Sequence, residues 1–564
     1  MTTASSQNTE QPMPHEATEA VQGYLPPSGW SIVGARSAAE LIAQEEIEPT
    51  SFRSVDPSTG RPSAMLYRAA TDHQLDETAR LAWEAFYANE GKSPRARGEL
   101  LDAIAEGLEA LGDGLLQLAS SETGLSTARL AAERERTCAT LRLFAEVARE
   151  GSWVEASIDR GSPARRPVPK PDLRAMLRPL GPVAVFGAGN FPLAYSSAGG
   201  DTASALAAGC PVIIKGHPGH PGTGELAARV ISQAVARCGF HPGTIGFLHA
   251  GGGREIAVGR GLALHACVRA IGFTGSLQGG LAVQEVAQSR PDPIPVFAEM
   301  GSVNPVFVLQ HAAQQQGEVI GDRLASSVMN SVGQMCTCPG LIFIRLAEGA
   351  EDLFRSLSDR FNHADPAPML NARTRDQLVQ RAEQFGAVSR LEMRAGAPTR
   401  PGSPDAIRPI TGSPALYRTT FDVFRSQPTL HEEVFGPVAV LVTCRSDQEM
   451  IEAAGLIQGS LTGSIFAAGH DAAMSRRLSQ ILEMRVGRLV FNGVPTGLEI
   501  NDSTVHTGPF PSTSAQHVTA QGTRAIVRWC RPLAYQNAPD AMLPPELRDA
   551  NPHKIRRRED SVWV

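Results

Sequence analysis

The sequence predicts an α/β protein of two consecutive units, each a parallel sheet covered on both faces. Three observations predict it. The chain has 564 residues, more than one ordinary core holds and enough for two or three domains. From Leu177 onward, short apolar runs alternate with amphipathic segments of helical spacing, the texture of βαβ units. These runs fall into two sets that meet near residues 290–305.

Residues 1 to about 25 are rich in Ser, Thr, Gln, Glu and Pro and read as a disordered tail. The turn cluster "SVDPSTGRP" follows. Asp72 to Arg149 is rich in Ala, Leu and Glu, with Leu81, Ala85 and Phe86 and then Leu101, Ile104 and Leu108 at helical spacing; it predicts several helices. "GSPARRPVPKPDL" breaks that pattern and reads as an extended excursion. "GPVAVFGA", "CPVIIKG", "TIGFLHA", "VRAIGFTGS" and "NPVFVL" are strand-like, with helical stretches such as "GTGELAARVISQAVARCG" between them. The second set is "LIFIRL", "PALYRTTF", "VAVLVTC" and "GSIFAAG". The Pro- and charge-rich segment from Arg531 to Asp560 would not form a core alone, so it is expected to pack on another part or another subunit.

Composition narrows the function. Apolar residues make up 42% and charged residues 20% of the chain, and net charge is −6. A large interior is possible, and nothing in the charge favours nucleic acid or an anionic membrane. The start is polar and acidic rather than basic then apolar, and no apolar stretch reaches ~18 residues. A cytoplasmic protein with reduced cysteines is therefore expected. Only Lys92, Lys170, Lys215 and Lys554 among 52 basic residues are lysines.

Several stretches carry chemistry. "SVGQMCTCPG" sets Cys336 and Cys338 one residue apart. Zinc would need about four ligands in paired sets, and a disulfide across one residue is geometrically poor. Two small core residues are the bland alternative. Gly333, Pro339 and Gly340 instead suggest a loop that presents one thiolate among backbone N–H groups. Lys215 ends an apolar strand, where it either snorkels at the rim or meets a ligand at the sheet's carboxyl edge. "HAGGGREIAVG" and "IGFTGS" place glycines and hydroxyls at strand ends, fit for backbone contact with a cofactor or for plain turns with a Ser cap. Glu299 lies in an apolar segment, where burial would raise its pKa and suit it to general-base work. Glu432 and Glu433 precede a Phe-Gly-Pro turn. Asn190 directly follows a strand, where an amide can donate to an oxyanion.

Taken together, "GNFP", "GCPVIIKGHP", "FTGS", "FAEMGSVNP", "GQMC" and "EEVFGPV" resemble the aldehyde dehydrogenase superfamily in order and spacing over roughly residues 50–550. "PVFAEMGSVNPVFVL", "KGHPGHPGT", "NGVPTGLEI" and "VHTGPFPS" are similar to its bacterial branch of 2,5-dioxovalerate (α-ketoglutaric semialdehyde) dehydrogenases and related NADP-dependent fatty aldehyde dehydrogenases. The resemblance implies two doubly wound parallel-sheet domains and a small β arm for oligomerisation. It implies an N-terminal extension over 1–50, a dinucleotide-binding domain over 51–297 with 155–175 in the arm, a catalytic domain over 298–505, and a return to the cofactor domain and arm over 506–564. A homodimer or dimer of dimers follows.

The resemblance also assigns roles. Cys336 is the nucleophile, Asn190 and the Cys336 N–H form the oxyanion hole, and Glu299 activates the cysteine or the water. Glu433 and Phe435 position the nicotinamide riboside. Lys215 binds the adenosine ribose, Gly275 and Ser276 the phosphate region, and His506 stands near the active site. No metal is implied. Many NAD-preferring relatives carry a glutamate where this chain has Pro218, so NADP is expected to be accepted and preferred, with Arg254 a cation for its 2′-phosphate and NAD possible. The implied reaction is non-acylating oxidation of an aldehyde, a short semialdehyde such as 2,5-dioxopentanoate first. Medium or long aliphatic aldehydes are the alternative. A CoA-acylating or phosphorylating enzyme, a cysteine hydrolase using Cys336 with His506, and a catalytically silent scaffold stand further off.

Overall fold

The structure, a computed structural model, describes residues 50–396 and 407–564. The predicted extension over 1–50 lies, apart from Thr50, outside the described residues. After four two-residue strands between Ser51 and Arg68 come four helices: α1 (Asp72–Ala88), α2 (Pro94–Ala110), α3 (Gly112–Thr123) and α4 (Thr127–Glu150). Thr71 caps α1 reciprocally with Gln74, and Ser126 caps α4 through the Arg129 N–H. These side chains take up N–H groups that the first helical turn leaves unpaired.

The first sheet holds β1 (Val183–Phe186), β2 (Val212–Gly216), β3 (Ile245–His249), β4 (Ala270–Thr274) and β5 (Val296–Glu299). Its order is β5-β4-β1-β2-β3, all parallel. Side chains alternate between faces along a strand, and here both faces are buried. Val183, Val185, Val212 and Ile214 pack with α2, α4 and α6 (Pro221–Arg237), while Ala184, Phe186 and Ile213 pack with α1 and α7 (Glu255–Leu264). That double covering is why these strands read as unbroken apolar runs. Full burial of each large aliphatic or aromatic side chain contributes roughly 1.5–3 kcal/mol.

The second sheet holds β6 (Val306–Val308), β7 (Leu341–Arg345), β8 (Glu392–Gly396), β9 (Ala415–Thr420), β10 (Val438–Cys444), β11 (Ser460–Phe466) and β12 (Val486–Phe491). Its order is β8-β9-β10-β7-β6-β11-β12, and only β8 runs antiparallel to its neighbour. Phe307, Phe343 and Val440 face one cluster; Val306, Ile342 and Leu441 face the other.

"NPVFVL" is therefore β6 of the second sheet. The fifth strand of the first sheet is "VFAE", which the sequence marked as an apolar segment around Glu299 rather than as a strand. Four residues ending in a carboxylate carry too little pattern to announce a strand. A third sheet joins Ser157–Asp159 and Leu173–Pro179 to Cys530–Gln536 and to Arg558–Glu559 and Val562–Trp563. The C-terminal segment thus pairs with the excursion after α4 within one chain. Among the described residues, no helix is long and apolar enough to cross a membrane.

Candidate active site

The first sheet reverses winding direction at β1. Neighbouring connections leave it toward β2 on one side and toward β4 on the other, opening a crevice at the carboxyl edge. Side chains from four strand ends meet this edge. Asn190 follows β1, Lys215 lies in β2, Gly275 and Ser276 follow β4, and Glu299 ends β5. The Gly275 N–H donates to the Glu299 carbonyl at 3.1 Å, tying two of these ends together.

The loop after α9 (Gln310–Met329) brings Cys336 to this crevice. Ser331, Val332 and Gly333 take φ values of 51°, 58° and 64° in succession. A β-branched residue in the left-handed region is strained, and the surroundings hold it there. A Cβ on Gly333 would lie 2.1 Å from the Gly436 carbonyl oxygen, so only glycine lets the loop seat against the turn that follows Phe435. Two side-chain amides then pin the loop's carbonyls. Asn190 Nδ2 donates to Gln334 O at 2.9 Å, and Asn304 Nδ2 donates to Cys336 O at 2.8 Å and Cys338 O at 3.0 Å. Cys338 Sγ turns into the core toward Val328 O, 3.7 Å away. The two cysteines therefore do not act as one clip, and all eight in the chain are free.

The segment around His506 closes the site. Ser512 O accepts from the Met300 N–H at 2.8 Å, and Ser514 Oγ accepts from the Ala298 N–H at 2.8 Å, so this segment lies along β5. His506 Nε2 lies 3.1 Å from Glu299 Oε2 and 3.8 Å from Cys336 Sγ. His506 and Glu299 are each 3% exposed. Neither Glu299 oxygen meets a donor in hydrogen-bonding geometry, although the ion-pair distance to His506 is short. Donor atoms of Glu299, Cys336 and His506 all fall within 4.8 Å of one another, close enough to share an ion.

Burial is the largest influence on both acids of this group, with different outcomes. It pushes the Cys336 thiol well above its ordinary value, and the charges of Glu299 and Glu433 push the same way. It would push Glu299 up as well, as the sequence led one to expect. Here His506 overrides it, and the Glu299 carboxyl ends below the usual range. The largest cause of the correction is a cation-capable ring, remote in sequence, that sits against the carboxylate; Cys336 and Arg528 act in the same direction. Glu433 keeps the raised value, about 7, because burial and the Glu299 charge outweigh the Ser302 N–H. A Cβ on Gly301 would lie 2.1 Å from Glu433 Oε2, so the glycine makes room for that carboxylate.

Lys215 runs along α7, where the absent Cβ of Gly259 would sit 3.3 Å from its Cε. Its Nζ lies 5.7 Å from the Phe186 ring centroid, and burial brings it down to about 8. Arg254 is held at the start of α1. Its Nε donates to Ala70 O at 2.9 Å, and its guanidinium pairs with Asp72 at the start of α1.

The structure adds residues that motif reading missed. Arg129, Glu133 and Arg136 share one face of α4. Arg129 donates to Asn190 O at 2.9 Å, Glu133 accepts from the Leu193 and Ala194 N–H groups, and Arg136 donates to Tyr195 Oη at 2.9 Å. One helix face thus holds the whole turn that carries Asn190. The signal was present as three charges at i, i+4 and i+7 in an otherwise amphipathic helix. Asn304 was legible only as a polar residue in an apolar run.

Comparison with known proteins decides the family. The group described as "Aldehyde dehydrogenase family" matches residues 43–508. The chain belongs to the aldehyde dehydrogenase family. It is 42% identical over 536 residues to alpha-ketoglutaric semialdehyde dehydrogenase 2 of Azospirillum brasilense, covering 94% of this chain and 99% of that one. It is 39% identical over 533 residues to the alpha-ketoglutaric semialdehyde dehydrogenase of Acinetobacter baylyi, covering 94% and 98%. Among solved structures, betaine aldehyde dehydrogenase of Staphylococcus aureus in complex with NAD+ shares the fold, with a TM-score of 0.74 and 18% identity over 93% of this chain and 98% of that one. This aldehyde dehydrogenase is an oxidoreductase that acts on a small-molecule aldehyde.

Proposed function

We propose that this aldehyde dehydrogenase oxidises a semialdehyde, 2,5-dioxopentanoate first, to the corresponding acid with NAD(P). The observation that carries the reading is the convergence of Cys336, His506 and Glu299 at the crevice beside Asn190, in a chain 42% identical to an alpha-ketoglutaric semialdehyde dehydrogenase. A medium or long aliphatic aldehyde is the competing substrate.

The residues fit a nicotinamide dinucleotide. Lys215 has no hydrogen bond or ion pair among the described residues, and helix α8 (Leu277–Gln288) opens at Ser276 with its N-terminus at the sheet edge, a natural anion site. Lys215, Gly275 and Ser276 would hold the adenosine half, and Glu433 and Phe435 the nicotinamide riboside. When bound, that cofactor supplies the hydride acceptor.

The chain's own residues do the rest. A thiolate is the nucleophile, and the proton of the buried Cys336 thiol must leave as the sulfur adds to the carbonyl carbon. Glu299, held low beside His506, receives it. The oxyanion of the thiohemiacetal is met by the second hydrogen of Asn190 Nδ2 and by the Cys336 N–H, which donates to no other group among the described residues. Departure of hydride leaves a thioester on Cys336. Glu299 passes that proton to solvent and then takes one from water, whose oxygen attacks the thioester carbon; the carbon–sulfur bond breaks, the acid departs, and the sulfur leaves as a thiolate that takes the proton back from Glu299.

A cysteine hydrolase would use the two ring nitrogens of His506 separately, one on sulfur and one on an acid. Here both contacts fall on Nε2, which favours the oxidative reading. Pro218 in place of an acid supports acceptance and preference of NADP. Arg254 supports it on condition that its guanidinium reaches the phosphate from its place beside Asp72. The division into a cofactor domain over 51–297, a catalytic domain over 298–505 and a returning segment over 506–564 suits the three larger sheets, and the arm sheet suits a homodimer or dimer of dimers. A monomer by light scattering would remove that role from the arm. The activity test is NAD(P)H formation with 2,5-dioxopentanoate, glutarate semialdehyde and hexanal, with NADP or NAD, with and without CoA. Highest kcat/KM for hexanal would overturn the semialdehyde reading, and dependence on CoA would overturn the hydrolytic step.

A further inference from the structure

We infer that Arg136 and Arg488 form the subsite that binds the distal carboxylate of the substrate, selecting ω-oxo acids over neutral aldehydes. This assignment rests on the semialdehyde reading above and names the groups that would enforce it.

Two chains of contact lead from the reacting sulfur to these guanidinium groups. Cys336 Sγ meets His506, whose ring lies 6.2 Å from the Tyr195 ring, and Tyr195 Oη accepts from Arg136. On the other side, Gly487 presses on the His506 segment so closely that a Cβ there would lie 1.7 Å from Thr507 O. Arg488 is the next residue. Both guanidinium groups act on the charge of the site: Arg136 draws the Cys336 thiol down, and Cys336 and Tyr195 draw Arg488 up against its burial.

Both also lack what most half-buried arginines have. Ion pairs are recorded for Arg129 with Glu133 and for Arg528 with Asp201, yet neither Arg136 nor Arg488 has a carboxylate partner among the described residues. A guanidinium carries five N–H donors. Arg136 uses one, on a phenol oxygen, and its buried Nε finds no acceptor. Arg488 is anchored by Gly497 O and Pro495 O, two neutral carbonyls that fix its position without neutralising it. Two positioned cations that make no ion pair among the described residues, each interacting electrostatically with Cys336, suit an incoming anion. An aldehyde with a carboxylate at its far end supplies that anion and keeps its carbonyl for Cys336.

The test compares kcat/KM for glutarate semialdehyde and for hexanal in wild type, Arg136→Met, Arg488→Met and Arg136→Lys. Loss of a charge-assisted hydrogen bond corresponds to about 10- to 10²-fold. The ratio of the two efficiencies is expected to fall by that factor in both methionine variants, through KM for the semialdehyde, and to recover in part with lysine. Competitive inhibition by glutarate, stronger than by hexanoic acid, is expected in wild type and gives a reading that needs no variant to fold. Equal loss on both aldehydes, an unchanged ratio, or indifference to glutarate would overturn the subsite. A wild type that oxidises neither aldehyde would overturn the activity reading itself, and this assignment with it.

Discussion

Glu299 Oε2 lies 3.1 Å from His506 Nε2, and this contact sets the protonation of the site. Burial favours a neutral carboxyl, but His506 pulls Glu299 below the usual carboxylate range. Replacing His506 by Asn removes that pull. The acid limb of the kcat/KM profile is then expected to move to higher pH, because Glu299 stays protonated further into the neutral range. Glu299→Gln is expected to lower kcat by about 10²–10⁴, the usual contribution of a positioned proton-transfer group. An acid limb indifferent to His506→Asn would disconnect the histidine from the carboxylate.

The two cysteines of the loop should separate cleanly. Cys336→Ser is expected to abolish NAD(P)H formation, while Cys338→Ser, altering a thiol that faces Val328 O, keeps it. Since burial and two carboxylates hold the Cys336 thiol high, its alkylation by iodoacetamide in the free enzyme is expected to be slow at neutral pH and to climb beyond the range of ordinary thiols. Fast, pH-independent alkylation would contradict the electrostatics of the site.

Asn190→Ala removes one clamp on the Cys336 loop and, on the proposed mechanism, an oxyanion donor. A loss in kcat on the order of 10²–10³ is expected, larger than any change in KM. A change confined to KM would place the amide outside the transition state.

Lys215 at about 8 carries on the order of 10²-fold more free amine at neutral pH than an ordinary lysine near 10.4. Brief treatment with an amine-directed acylating reagent, followed by peptide mass spectrometry, is expected to modify Lys215 in preference to Lys170, which pairs with Asp159 and Asp560. NADP or NAD should protect it. Equal labelling with and without dinucleotide would remove Lys215 from the cofactor site.

Glu433 titrates at about 7 in the folded enzyme, raised from an ordinary carboxyl. A raised acid means that the folded state keeps a proton the unfolded state has already released, so stability falls as pH rises from about 4.5 through 7. Glu433→Gln lacks that penalty. Its Tm relative to wild type is expected to rise between pH 5 and pH 8. A constant difference across that range would show that Glu433 does not titrate there.

The strand-forming runs were legible because a strand buried on both faces is apolar at every position, as in Val183–Phe186 and Val212–Gly216. Asn190 and Lys215 were legible because each follows or ends such a run, and Cys336 because Gly333, Pro339 and Gly340 mark its segment as a loop. Val296–Glu299 was missed as a strand because a four-residue run ending in a carboxylate announces little. The arginines of α4 were missed because charge on a helix face ordinarily meets solvent.

What the sequence determined by itself is local: unbroken apolar runs, helix-spaced segments, and the chemistry carried at strand ends and in loops, all set by neighbours a few residues apart. Only the tertiary structure decided that Glu299 is held low, that both contacts of His506 use one nitrogen, and that Arg136 meets Tyr195 while Arg488 meets the Pro495 and Gly497 carbonyls. Electrostatic interaction depends on distance in space and on burial, and Cys336 and His506, 3.8 Å apart, are separated by 170 residues of chain.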